Sequence, residues 1–203
     1  MKTSQMNVKK IVLIGMLGAI GAILMFIRTP LPFMPPFMDF DLASLPEMIG
    51  GFALGPMAAV FIILVKILAK FAMLGTSSMF TGEIQNFLLS CAYVLPAVWI
   101  YDRHKSKKSA IQGMVVGTVI CAIVAVFTNL YIIIPFYASL GNMTVQSIID
   151  MCSAVSPIIT NTVTLAIFGI IPFNLIKNGV ASIITYVVYK KISIPMKKFA
   201  GER

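Results

Sequence analysis

The sequence predicts an all-α, polytopic membrane protein that forms a single domain over residues 1–203. Of its 203 residues, 59% are hydrophobic and 11% are charged, and its mean hydropathy is +0.94. A soluble domain of this size could not bury so much apolar surface. Apolar runs long enough to cross a bilayer recur along the chain, and no Ser- or Gly-rich linker divides it.

The distribution of basic residues argues against nucleic acid as a partner. The formal net charge is +9, but Lys and Arg stand at the ends of apolar runs and form no basic face. Orientation in a bilayer, with the positive loops inside, explains this pattern.

The three cysteines, Cys91, Cys121 and Cys152, are odd in number and widely spaced. We interpret them as packing residues and expect neither a disulfide nor a metal site.

The first helix is predicted over 11–27. We expect it to be uncleaved, because Arg28-Thr29-Pro30 follows it in place of a small-residue cleavage site. The next segment, 28–46, contains five prolines, which exclude a regular helix. It is also apolar and carries three phenylalanines, so we expect it to pack as a lid. These phenylalanines are Phe33, Phe37 and Phe40.

Apolar periodicity predicts the remaining elements. The predicted helices are 47–64, a shorter one over 67–80 with Lys66 and Lys70 at its start, 84–101, and 110–134 ending near Pro135. A basic loop occupies 102–108, and 136–156 is mixed and polar. The apolar stretch 157–189 is broken by Gly169 and Pro172.

Two countings of the crossings compete, and both give six. One treats 67–80 as a loop and 157–171 as a full span. The other pairs 47–64 with 67–80 as a hairpin and keeps 135–171 on the outer side. The second counting places every basic residue except Arg28 and Lys177 inside, so the positive-inside rule favours it, with both termini cytoplasmic. Five carboxylates then lie at the outer face: Asp39, Asp41, Glu47, Glu83 and Asp150.

Lys177 is the only charged residue between Asp150 and Lys190. Such a charge costs roughly 2.5–3.5 kcal/mol at the centre of a membrane helix. Asn174 lies on the same helix face, and Asn129 is predicted at the same depth in the outer leaflet. Two amides and an ammonium suit a flat heterocycle with carbonyls and ring nitrogens. The alternative is that these polar side chains hold helices together.

Further side chains are candidates for the same site. Phe40, Tyr131 and Phe173 could supply stacking surface. Glu83 and Asn86 begin a helix at the outer face, where Glu83 is either a ligand contact or a first-turn acid stabilised by the helix dipole.

Small residues on the first helix form two small-xxx-small pairs, Gly15/Ala19 and Gly18/Ala22. Such pairs let another helix approach closely. We consider contact with an external partner and internal packing as alternatives. Similar pairs are Gly51/Gly55 and Gly113/Gly117.

Signatures of an enzyme are missing. The single histidine, His104, lies in the basic loop, and no HExxH, GxSxG or P-loop pattern is present. We therefore expect no catalytic residue, no metal and no cofactor. A binding site without its own ATPase implies a separate energising partner.

Four segments in order carry a resemblance to a known family. The chain resembles the substrate-binding S components of energy-coupling factor (ECF) vitamin transporters, specifically the riboflavin-specific one. The segments are PFMPPFMDFD over 32–41, FALGP over 52–56, NLY over 129–131 followed by IPFY over 134–137, and IIPFNLIK over 170–177.

This resemblance implies a six-helix fold in the cell membrane whose vitamin site opens outward under the lid. It implies that Asn129, Asn174 and Lys177 bind the flavin, together with the lid backbone near Leu42 and Ala43. It also implies a transmembrane T subunit that meets the first helix and two cytoplasmic ATPases. The alternatives are an S component for FMN or another flat vitamin, an intramembrane enzyme acting on lipid, and a structural membrane subunit.

Overall fold

The computed structural model of the protein describes residues 8–32, 34–35, 38–76, 79–139 and 144–201, which form a helical bundle with one short β-ladder. In chain order the elements are α1 (Val8–Phe26), β1 (Thr29–Pro30), β2 (Asp39–Phe40), α2 (Ser44–Leu54), α3 (Pro56–Leu74), α4 (Thr81–His104), α5 (Lys107–Thr128), a π-helical turn (Asn129–Ile133), α6 (Ile134–Ser139), α7 (Val145–Val155), α8 (Thr162–Leu165), a second π-helical turn (Ala166–Ile170) and α9 (Ile171–Ala200).

Within the described residues, five stretches are long and apolar enough to cross a membrane: Val8–Phe26, Pro56–Leu74, Thr81–His104, Lys107–Ser139 and Thr162–Ala200. These stretches confirm the helical membrane class. Helix α2 has 11 residues, fewer than a full crossing needs, so the count of six crossings stays a prediction.

The boundary between the second and third helices is wrong in the prediction. The chain breaks at Gly55-Pro56, and α3 runs unbroken through Lys66 and Lys70 to Leu74. Gly55 has φ 97° and ψ 173°, a conformation that is essentially restricted to glycine. Pro56 then begins α3, where its missing N–H costs nothing.

The prediction that Lys66 and Lys70 lie on the opposite side of the membrane from Glu47 and Glu83 is also wrong. The Nζ of Lys66 lies 2.5 Å from Oε1 of Glu47, and the Nζ of Lys70 lies 2.5 Å from Oε1 of Glu83. Both carboxylates were predicted at the outer face, and the structure joins the lysines to them. A lysine inside a bundle can be neutralised by an acid on a neighbouring helix, which a count of loop charges does not register.

Two predicted helix ends are replaced by π-helical turns. The fifth helix continues past Pro135 to Ser139 through Asn129–Ile133, and the predicted break at Gly169 and Pro172 is the turn Ala166–Ile170. Each turn comes just before one of these prolines, so the missing proline N–H falls where the α-helical bonding pattern is already interrupted.

The lid over 28–43 is pinned by a two-residue antiparallel ladder in which Thr29 pairs with Phe40. Pro35 and Met38 are buried, in agreement with the predicted packing of this segment. The lid ends earlier than predicted, because α2 begins at Ser44. The predicted contributions of Phe33 and Phe37 lie outside the described residues, as do Lys2 and Arg203.

Close contact between α4 and α5 builds the centre of the bundle. Gly113 and Gly117 face the backbone of Ala97 and Tyr93, and a Cβ at either glycine would collide with a carbonyl oxygen. The pair Gly113/Gly117 therefore serves internal packing. Because α4 begins at the lid and ends at His104, the basic loop that follows it lies at the opposite end of the bundle.

Candidate functional site

A cavity of about 500 Å³ lies under the lid, between the lid, the first π-helical turn and helices α3, α4, α7 and α9. We call it the lidded cavity. Its walls include Asp39 and Asp41 of the lid, Asn129 of the first π-helical turn, and Asn174 and Lys177 of α9. The structure thus brings together the three polar residues that the sequence singled out. The volume lies in the range of small-molecule sites.

The amide oxygens of the two asparagines are available as acceptors, and only the weakly donating Sγ of Cys121 contacts one of them, Oδ1 of Asn174, at 3.9 Å in the part of the chain that the structure describes. Nδ2 of Asn129 donates to the Ala125 carbonyl at 2.7 Å, and Nδ2 of Asn174 donates to the Ile170 carbonyl at 2.8 Å. Each of these bonds reaches back one turn and fixes the amide. Both residues are 6% exposed, so a ligand N–H would meet a pre-oriented acceptor out of bulk water.

Lys177 joins α9 to the lid. Its Nζ donates to Oδ2 of Asp41 at 2.8 Å, while Oδ1 of Asp41 accepts the Ala43 N–H at 2.9 Å. Burial alone would raise the pKa of Asp41, but the Lys177 ammonium and the Ala43 N–H together outweigh burial and hold that pKa below its ordinary value. The carboxylate therefore stays charged, and its ion pair with Lys177 holds the lid over the cavity.

The other charges of the lidded cavity are also paired. Arg28 contacts Asp39 at 3.1 Å, and Lys70 contacts Glu83 at 2.5 Å. Together with the pair described above, three cations meet three carboxylates among the described lining residues. The cavity is therefore close to neutral, although the chain as a whole is strongly basic.

Glu83 and Asn86 line the cavity, as the sequence indicated, but each is already engaged. Besides its ion pair with Lys70, Glu83 accepts a hydrogen bond from Thr76 Oγ1 at 3.1 Å. Oδ1 of Asn86 accepts from Lys66 Nζ at 2.7 Å, which leaves the amide N–H groups of Asn86 as its remaining donors.

The buried ion pair between Lys66 and Glu47 supports Asn86, because the same Lys66 ammonium donates to the Asn86 amide oxygen. Lys66 and Glu47 are 1% and 0% exposed. The Lys66 Nζ also donates to Ser90 Oγ at 3.1 Å. Sequence reasoning missed Lys66 and Lys70 as parts of the site. The only available signal was the position of each lysine within an apolar run, together with the acids Glu47 and Glu83 on the neighbouring predicted helices.

Four predicted residues lie outside the cavity lining. Tyr131 is 73% exposed and stacks on Phe127 with ring centroids 6.0 Å apart, so its ring faces away from the site. Phe40 packs against the apolar cluster around Met38. Leu42 and Ala43 are next to Asp41 without lining the cavity. Phe173 does line it.

The small residues of α1 separate into two faces. A Cβ at Gly18 would collide with the Val65 side chain, whereas nothing lies within 4 Å of one at Gly15. Ala22 is 1% exposed, and Ala19 is exposed. Gly18 and Ala22 therefore pack inside the bundle, and Gly15 and Ala19 form a small-residue face on its surface.

Comparisons with known proteins agree with this architecture. The family model "ECF transporter, substrate-specific component" matches residues 9–189. The chain is 31% identical to the riboflavin transporter RibU of Staphylococcus aureus (strain TCH60), over 97% of each chain. It is 25% identical to the riboflavin transporter FmnP of Bacillus subtilis (strain 168), over 92% of this chain and 93% of that one.

A solved structure of the S component of a bacterial ECF transporter superposes with a TM-score of 0.71 and 30% sequence identity. The superposition covers 93% of this chain and 98% of that one. The sequence comparisons and the structural comparison therefore indicate the same family over nearly the whole length of the chain. The chain belongs to the family of substrate-specific components of ECF transporters.

Proposed function

We propose that this protein is the membrane-embedded riboflavin-binding subunit of an ECF importer. It captures riboflavin in the lidded cavity from outside the cell and delivers it inward with a T subunit and two ATPases. Two relatives that match over more than nine-tenths of this chain are named riboflavin transporters. The observation that carries the proposal is the pre-oriented set of Asn129, Asn174 and Lys177 in one cavity.

The donors and acceptors of this set complement the polar edge of a flavin ring. That edge presents a ring N–H between two carbonyl oxygens. The amide oxygens of Asn129 and Asn174 supply acceptors, because their N–H groups are bonded to the backbone. The Lys177 ammonium and the remaining Asn86 N–H groups supply donors for the carbonyls. The ring of Phe173 gives an apolar surface beside them.

The charge balance of the cavity favours riboflavin over FMN. A phosphate needs cations that are not already neutralised. Each described cation of the lining, Arg28, Lys70 or Lys177, faces a carboxylate within 3.1 Å. Binding FMN would require breaking one of these ion pairs, whereas riboflavin carries no net charge.

The exposed small-residue face of α1 suits the docking of the T subunit. Gly15 and Ala19 offer a flat strip on which another helix can approach closely. Gly18 and Ala22 are occupied by internal packing, so of the two predicted pairs only Gly15/Ala19 is accessible. In this arrangement the chain is not itself an enzyme, both of its termini are cytoplasmic, and its partner subunits hydrolyse the ATP.

Ligand binding tests the proposal directly. The protein is purified in detergent and titrated with riboflavin, FMN and thiamine while flavin fluorescence or heat is measured. We expect saturable binding of one riboflavin per chain, weaker binding of FMN and none of thiamine. An intramembrane enzyme or a structural subunit would bind no flavin, and equal binding of FMN would contradict the argument from charge.

A further inference from the structure

A second cavity, of about 300 Å³, lies at the end of the bundle opposite the lid. We call it the inner cavity. It is formed where α4 ends, α5 begins and α9 passes both, and its walls include Lys105, Lys107, Thr185, Tyr189 and Lys190. It shares no lining residue with the lidded cavity, and riboflavin capture makes no use of it.

Among the described residues, two of the three lysines that line this cavity have no matching acid. Helix α5 has no acidic residue in its first turn and begins with Lys107 and Lys108, although a helix N-terminus already carries a partial positive charge. Over the described ranges, no ion pair involves Lys107 or Lys190, and Lys105 reaches only Asp102, at 3.8 Å with both side chains exposed. An anion at this point would relieve the repulsion.

A buried hydroxyl in the cavity wall lacks a partner. Thr185 is 0% exposed, and within the described part of the chain its Oγ1 has no hydrogen-bond partner. Buried hydroxyls are almost always hydrogen-bonded. The Tyr189 hydroxyl nearby is engaged by Tyr101 at 3.0 Å. The free Thr185 hydroxyl is thus a ready donor for an acceptor oxygen that enters the cavity.

The cavity opens toward the membrane. Tyr186 and Val187 belong to its lining, yet they are 45% and 64% exposed on a helix that spans the bilayer. On α4, Trp99 lies 4.1 Å below the Arg103 guanidinium, measured from the ring centroid. Tryptophan with a neighbouring cation is typical of the level where lipid headgroups meet the hydrocarbon. Lys105, which lines the cavity, follows Arg103 at the C-terminal end of α4.

We propose that the inner cavity binds the phosphate headgroup of an anionic phospholipid. The phosphate lies among Lys105, Lys107 and Lys190 at the start of α5 and accepts from Thr185, while the acyl chains follow the exposed surface of α9 beside Val187. Basic pockets between helices on the cytoplasmic side are the known form of such sites. A soluble phosphate would use the cations alone and would leave the apolar opening uncovered.

Native mass spectrometry of the full chain in detergent, with added phosphatidylglycerol or phosphatidylcholine, tests this inference. We expect one phosphatidylglycerol to be retained in preference to phosphatidylcholine. Lys107→Gln and Lys190→Gln should each weaken its retention about fivefold. Thr185→Val keeps the charge and shape and should weaken it about tenfold, because it removes a hydrogen bond to a charged group.

The adjacent lysines provide matched controls. Lys108→Gln and Lys191→Gln make the same charge change at positions that do not line the cavity, and they should change retention less than twofold. Equal losses in these controls, or no preference over phosphatidylcholine, would overturn the proposal. Displacement of the lipid by equimolar inorganic phosphate would also overturn it in favour of a soluble anion. If the lysine variants fail to fold, as judged by circular dichroism, the conservative Thr185→Val decides.

Discussion

At the scale of single residues, the lidded cavity is organised before a ligand arrives. The amides of Asn129 and Asn174 are fixed by backbone carbonyls one turn away, and Lys177 is held by Asp41. Few side chains of the cavity then have to change rotamer when a ligand binds, which lowers the entropic cost of binding. In the proposed site, the Lys177 ammonium would donate to riboflavin with an N–H that Asp41 does not use, so the same lysine would connect ligand binding to the lid.

Replacing Asn174 tests the role of the fixed amides. Asn174→Leu keeps the branched shape of the side chain but leaves a ligand N–H unsatisfied in a buried site. We expect a loss of about 1–3 kcal/mol of binding free energy, or five- to 150-fold in affinity, measured by flavin fluorescence titration. The control is Tyr131→Ala, whose exposed ring lies outside the cavity and whose loss should change affinity less than twofold. An unchanged affinity in Asn174→Leu would exclude this residue from the site.

The pKa of Asp41 predicts how the site responds to pH. Because the folded-state pKa lies below the ordinary value of 3.8, the stabilisation from the pair with Lys177 is complete above that value and is lost only as the pH falls through the lowered pKa. Riboflavin affinity should therefore change less than twofold between about pH 5 and pH 8. A titration at several pH values checks this, and a midpoint near neutrality would point to another titrating group.

The buried pair of Lys66 and Glu47 should matter for stability more than any exposed pair. Lys66→Met leaves a carboxylate unpaired inside the bundle, which we expect to cost about 3–5 kcal/mol in the free energy of unfolding. The double variant Glu47→Leu/Lys66→Met removes both charges and should recover most of that loss. Denaturant unfolding in detergent measures both. A double variant as unstable as the single one would mean that the charge itself is not the cause.

At the scale of elements, the helices depart from regularity next to the lidded cavity. The first π-helical turn, Asn129–Ile133, contains Asn129. The second, Ala166–Ile170, directly precedes α9, which carries Asn174 and Lys177. Such turns are frequently found at functional sites. The break at Gly55 has a different effect, because it lets α3 carry Lys66 and Lys70 up to the cavity.

The crossing of α4 and α5 gives a prediction about packing. Gly117→Ala would drive a methyl group into the Tyr93 carbonyl, so we expect a loss of stability of about 1–3 kcal/mol or more. Gly179→Ala is the matched control on α9, since nothing lies within 4 Å of its Cβ position. That change should stabilise the protein by about 0.5–1 kcal/mol. Thermal unfolding of both variants measures the contrast, and equal effects would contradict the close approach.

At the scale of the whole molecule, the bundle has two chemically different ends and an apolar surface between them. The lidded end pairs each described lining cation with an acid, whereas at the opposite end Lys107 and Lys190 have no acidic partner among the described residues. The sides expose large apolar residues such as Ile20, Val119 and Ile183, which suits contact with lipid. One interruption in this surface is the small-residue face at Gly15 and Ala19.

Added bulk on that face should separate binding from transport. Ala19→Leu should leave riboflavin affinity unchanged within twofold, because α1 contributes only Met25 and Phe26 to the described cavity lining. It should reduce riboflavin uptake by cells at least tenfold, because the larger side chain blocks the approach of a partner helix. Ala72→Leu adds the same side chain to an exposed position of α3 and should leave uptake unchanged. Normal uptake with Ala19→Leu would exclude this face as the docking site for the T subunit.

The sequence alone determined the membrane class, the lid and the three polar residues Asn129, Asn174 and Lys177. Each of these follows from local signals, namely apolar length, proline density and the cost of polar groups in lipid. The tertiary structure decided which charges meet. It placed Lys66 and Lys70 beside acids far away in sequence, turned Tyr131 outward and assigned Gly18 and Ala22 to internal packing. Ion pairs between helices and helix rotation depend on how separate elements pack, and no local pattern encodes them.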